Sequence, residues 1–197
     1  MMTRKWTILG PILGLFLMAS FGDAAFLKPS PDSKAGSVHP RLSVGPGGPI
    51  YLVWAEERDG RPQDLFFNRS TDQGKTWQKE DRWLDQDKPA GSRSSAPQIH
   101  SDGKGHVYVV WRTKHQDGRK DILFTASKDF GATFGPKRKL NREGGAFAPE
   151  ISADGKGHVY VVWSDERAEG KVGGEEKKKH ASHNIYFNRS DDHGESW

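Results

Sequence analysis

Three eight-residue segments, STDQGKTW at 70–77, SKDFGATF at 127–134 and SDDHGESW at 190–197, share the pattern Ser-x-Asp-x-Gly-x-Ser/Thr-aromatic. A motif recurring at such intervals constrains the chain more than its composition does, because every copy must close a structural unit of the same kind. The residue types suit a tight turn. Asp72, Asp129 and Asp192 can accept backbone N–H bonds from residues just ahead of them. Gly74, Gly131 and Gly194 can take the positive φ that a Cβ disfavours. The hydroxyls of Ser70, Ser127 and Ser190, with Thr76, Thr133 and Ser196, can close the loop. Trp77, Phe134 and Trp197 are expected to fold an aromatic face back over their own unit.

Each octet is preceded by the same succession of segments. A proline phrase opens the unit: HPRLSV from His39, APQIHS from Ala96 and APEISA from Ala148. A glycine-rich turn follows, then an apolar run ending in Trp54, Trp111 or Trp163, tryptophans separated by 57 and 52 positions. Next comes DLFFNRS, DILFTAS or NIYFNRS, whose alternation suits a half-buried strand and whose final serine starts the octet. Three β-rich units of this length predict an all-β fold, a β-propeller of four-stranded blades. The blades are expected at about 39–90, 91–145 and 146–197. Tryptophan-to-serine offsets of 16, 16 and 27 place an insertion in the third unit, the glycine- and lysine-rich stretch around 168–183. A solvated loop is expected there, a functional protrusion being the alternative.

The octets resemble the Asp box, or BNR repeat, of sialidases and related propellers, and the resemblance covers all three units. It implies that Ser70, Asp72, Gly74 and Trp77, with their counterparts in the other units, are architectural and lie away from an active face. Repetition itself points the same way, since a unique site does not need identical residues in every blade.

Residues 1–24 read as a signal peptide: Arg4 and Lys5 precede an apolar run from Ile8 to Phe21, and Gly22 and Ala24 are small enough for a cleavage site. A linker is expected over 25–38. Export to a periplasmic or extracellular destination follows as an expectation, with membrane contact only through the uncleaved segment. The chain has no cysteine, so disulfides cannot hold the fold. Lys and Arg alternate with Asp and Glu, and a net charge of +4 without an identifiable basic face gives no reason to expect nucleic acid. His180 and His183 have an H-x-x-H spacing, but on a lysine-rich segment with no third ligand they predict neither metal nor cofactor.

Catalysis, if the chain carries it, must rest on unrepeated residues. Sialidases use arginines for the substrate carboxylate and an Asp acid/base, and the resemblance suggests Arg41 in PRLS, Arg58 in EERD and Asp59 for these roles. Gln98 and Glu150 stand where Arg41 does, so the blade does not demand an arginine there. Two readings stay open: an exported sialidase-like glycoside hydrolase fragment, and a non-catalytic propeller that binds a glycan, glycoconjugate, peptide or protein. Three units ending on the last letter of an octet also lead to the expectation of an incomplete propeller from a longer gene.

Overall fold

The computed structural model of the protein describes residues 36–58, 60–142, 145–167 and 182–197. The expected signal peptide, most of the linker, and the insertion as far as residue 181 lie outside the described residues, as do Asp59 and His180.

The regular elements among the described residues are eleven strands in three antiparallel sheets. The first sheet is β1 (Ser37–Val44), β2 (Ile50–Glu56), β3 (Asp64–Ser70) and β4 (Arg82–Trp83), in that order. The second repeats it with β5 (Arg93–Ser101), β6 (Val107–Lys114), β7 (Lys120–Ser127) and β8 (Arg138–Lys139). The third holds β9 (Ala146–Ala153), β10 (Val159–Arg167) and β11 (Ser182–Ser190). The first strand begins at Ser37, so the expected linker over 25–38 gives up its last two residues to the sheet, where Ser37 pairs with Glu56 and Val38 with Ala55. The fourth strands are only two residues long.

Local chemistry explains the meander. Between the first two strands of the second and third sheets, Asp102 and Asp154 cap the turn: Oδ1 of each accepts the N–H of Lys104 or Lys156, both at 2.8 Å, and that of His106 or His158. The first sheet lacks such an aspartate and closes the turn with the Gly45 N–H on the Pro49 carbonyl, 2.9 Å. Valines and aromatics then fill β6, which is buried on both faces because a sheet lies on either side of it.

The core is two slabs, one between each pair of neighbouring sheets. Tyr51, Val53, Leu65 and Phe67 of the first sheet meet Ile99, Val107, Val109 and Trp111 of the second. On the far side of that second sheet, Tyr108, Val110, Ile122 and Phe124 meet Val159, Val161 and Trp163. Blade-on-blade packing of this kind makes each interface depend on both partners.

The octet aromatics depart from expectation. Phe134 packs edge-on against Phe67 of the preceding blade, centroids 4.9 Å apart, and Trp197 does the same against Phe124. They clamp the neighbour rather than cover their own blade. Gly131 and Gly194 permit the approach, since a Cβ there would lie 2.6 Å from Phe67 or 2.4 Å from Phe124, at φ of +80° and +89°.

Each first strand carries the same irregularity. The pairing register slips between Val38 and Arg41, between Ser95 and Gln98, and opposite the step from Val162 to Ser164. At these slips His39, Ala96 and Ala148 adopt φ of 55°, 49° and 49° immediately before Pro40, Pro97 and Pro149. A bulge of this type re-aims the residue that follows it. The residues re-aimed are Arg41, Gln98 and Glu150.

Candidate functional site

The octets are saturated with internal hydrogen bonds. The Ser127 hydroxyl donates to Asp129 Oδ1 at 2.7 Å and accepts the Gly131 N–H at 2.8 Å. Asp129 also accepts the Thr133 N–H and hydroxyl, at 2.8 and 2.5 Å. The same four contacts recur in the octets of Ser70 and Ser190. The Thr76 hydroxyl and N–H, with Ser70, hold the Asp72 carboxyl down at about 2. Partial burial alone would raise Asp129, but Thr133 and Ser127 outweigh it and leave it at about 2 as well. Ser196 and Ser190 likewise lower Asp192. Both oxygens of each octet carboxylate are thus engaged within their own turn.

The sheets put these turns and the β1–β2 type turns at one end. The β2–β3 loop and the β4–β5 connection lie at the other, together with the start of each first strand. First strands β1, β5 and β9 adjoin one another. Across them runs a polar row made by the three re-aimed residues: Arg41 Nε donates to Gln98 Oε1 at 3.1 Å, and Gln98 Nε2 donates to Glu150 Oε1 at 2.7 Å. Arg41 Nη1 also donates to its neighbour's carbonyl, Pro40 O, at 2.9 Å. Arg41 and Glu150 are solvent-exposed and Gln98 is half-buried between them, and Arg41 has no carboxylate partner among the described residues. The row thus offers, side by side, a cation with spare N–H donors, an amide and a carboxylate.

Arg58 is placed very differently. Its guanidinium sits 3.7 Å from the centroid of Phe66, donates to Glu56 Oε1 and Oε2 at 3.0 and 3.1 Å, and reaches Asp81 Oδ2 at 2.7 Å. Glu56 is fully buried, and it also takes the Trp54 indole N–H at 2.8 Å and the Ser37 hydroxyl at 3.0 Å. Burial opposes ionisation of Glu56, but Arg58, Trp54 and Ser37 together pull its carboxyl below the usual range. Burial likewise opposes the charge on Arg58, and the two carboxylates overcome it and raise the guanidinium further. Phe66 is on the opposite side of the first sheet from Arg41, since β1–β2 pairing sets Arg41 against Val53 while Phe66 pairs with Trp54. The structure therefore does not bring Arg41 and Arg58 together, and Asp59 lies outside the described residues.

Sequence reasoning missed Gln98 and Glu150 as partners of Arg41, although their alignment after the repeated proline was available as a signal. It also missed Asp85, a fully buried carboxylate that binds Lys137 Nζ at 2.7 Å and the Trp111 indole N–H at 3.3 Å, bridging the first two blades. At the octet end, ligand atoms of Asp102, His106 and His193 lie within 4.8 Å of one another. The two imidazoles stack face to face, 4.0 Å apart at 14°. Their lone pairs lie in nearly parallel planes and do not converge on one ion. His183, the described half of the H-x-x-H pair, faces Glu166 at 4.0 Å and the edge of Phe147.

Neither a protein-family model nor a curated protein sequence matches the chain. Solved structures do. A Hadza microbial sialidase superposes with a TM-score of 0.63 at 17% identity, over 84% of this chain and 37% of its own. An α-L-arabinanase of Penicillium chrysogenum, complexed with arabinobiose, gives 0.56 at 20%, over 79% and 46%. A family 117 glycoside hydrolase from the marine bacterium Zobellia galactanivorans gives 0.51 at 12%, over 82% and 54%. The chain is an all-β propeller structure. It spans between about a third and about half of the length of these neighbours.

Proposed function

We propose that the chain is part of an exported, sialidase-like glycoside hydrolase in which Arg41 binds the carboxylate of an acidic terminal sugar. One observation carries the reading: within one copy, and among the described residues, Arg41 is a cation without a carboxylate partner, held by Gln98 and Pro40 in the row across the first strands. A guanidinium presents paired N–H donors that match a carboxylate, while Gln98 and Glu150 supply the mixed donors and acceptors that sugar hydroxyls require. The octets, which resemble Asp boxes, contribute rigidity to this row and no chemistry. Asp59 is the proposed acid/base, one residue beyond the fixed Arg58.

A second reading is a non-catalytic propeller that binds a glycan. It is favoured by Arg58, the other candidate arginine, being consumed by Glu56 and Asp81. Hydrolysis of a fluorogenic sialoside by the purified protein, lost by at least about tenfold in Arg41→Ala, is the expected outcome. Binding of neutral oligosaccharide without turnover, unchanged in Arg41→Ala, would replace the first reading with the second.

A further inference from the structure

Among the described residues the blade-on-blade interface occurs twice, and both halves of a third copy stand unpaired, one on the first blade and one on the third. On the third blade, Val162, Ile185 and Phe187 occupy the places of Val110, Ile122 and Phe124, which the following blade covers. They are 37%, 74% and 61% exposed. On the first blade, Leu42 and Leu52 occupy the places of Ile99 and Val109, which in the second blade lie in the core between the first two sheets. Leu42 is 65% exposed. Phe130 in an octet turn aside, the large apolar side chains exposed among the described residues lie on the first strand and on the third blade, and such clustering marks an interaction surface.

We propose that these faces pair head to tail, the first blade of a second copy of this chain docking on the third blade. The existing interfaces supply the template. Trp77 of the incoming copy corresponds to Phe134 and Trp197, so it would meet Phe187 edge-on as those rings meet Phe67 and Phe124. Its indole N–H is buried and has no partner among the described residues of one copy. Arg189 stands at the place of Arg69, whose guanidinium donates to the Asp129 and Phe130 carbonyls of the following octet. Docked, Arg189 would reach the corresponding carbonyls at Asp72 and Gln73.

Charge complementarity selects the same partner. In the row across the first strands each residue donates to the next blade, Arg41 to Gln98 and Gln98 to Glu150. The next position after Glu150 would be Arg41 of the second copy, so a carboxylate meets a guanidinium. That pair would also orient Arg41 in the row, leaving further N–H donors on its fork for a ligand. Because the two faces differ, the interface is heterologous, and two copies close a ring where the rotation permits.

Sedimentation velocity on the purified protein tests this. The expected species is a reversible dimer, with Phe187→Asp and Leu42→Asp each weakening it by at least about thirtyfold. Near-ultraviolet circular dichroism should confirm that both variants keep their tertiary packing. A mixture of the two variants has one intact pairing of faces, so it regains association that neither shows alone. A monomer at all concentrations overturns the proposal. So does a dimer indifferent to Leu42→Asp, which would pair third blade with third blade. None of these outcomes depends on sialoside turnover, so failure here leaves the enzymatic reading standing.

Discussion

The second and third blades share the sequence VYVVW in their second strands, yet the structure treats them oppositely. Val110 and Phe124 of the second blade are buried, while Val162 and Phe187 at the same positions of the third are exposed. The strand chemistry is the same and the difference is the presence of a covering blade. Burial in this architecture is a property of a pair of units, so a residue's contribution to stability depends on its address as much as on its type.

The largest test of that statement is Phe124→Ala against Phe187→Ala. Removing Phe124 empties the seat of Trp197 and should cost about 3–5 kcal/mol by urea denaturation. The same change at Phe187, measured at a dilution where the chain is monomeric, should stay within about 0.5 kcal/mol. Equal losses would break the comparison. A smaller contrast is expected between Arg69→Ala and Arg189→Ala. Arg69 ties the first blade to the second blade's octet, and its loss should cost about 1.5 kcal/mol, read in the same titration. Among the described residues Arg189 bonds to Asp191 on the surface, and truncating it should cost less than about 0.5 kcal/mol.

The octet acids sharpen the comparison from the other side, because their bonds are internal to each turn. Asp129 is lower in the folded chain than its ordinary value of 3.8, so the stability it gives is complete above that value and is lost as pH falls toward about 2. Asp129→Asn should therefore destabilise at neutral pH, by about 1 kcal/mol once solvent screening is allowed for, and flatten the acid limb. Unfolding free energy measured from pH 7 down to about 2 checks it. An unchanged acid limb would show that the turn's bonds do not require the charge.

Much of the architecture was legible because it is written locally. The octets and the glycine-rich turns are closed by residues a few positions apart, and the strands ending in Trp54, Trp111 and Trp163 pair with the strands next to them in sequence. What was not legible involves residues brought together from afar. Phe134 finds Phe67 and Trp197 finds Phe124 only because neighbouring sheets face each other, and a single unit read alone suggests that the ring covers its own blade. The fate of Arg58 turned on Asp81, 23 residues away, which the phrase EERD does not reveal. The row of Arg41, Gln98 and Glu150 depends on a register slip that sequence alternation does not announce.

That slip has a consequence for how such a molecule changes over time. A left-handed residue before proline is fixed in every blade, whereas the position just after it holds a cation, an amide and an anion in turn. The scaffold thus carries one interchangeable coordinate per unit, midway along the first strands where the units adjoin. New recognition chemistry can be written there one residue at a time, at little risk to folding, while the turns at the far end stay constant.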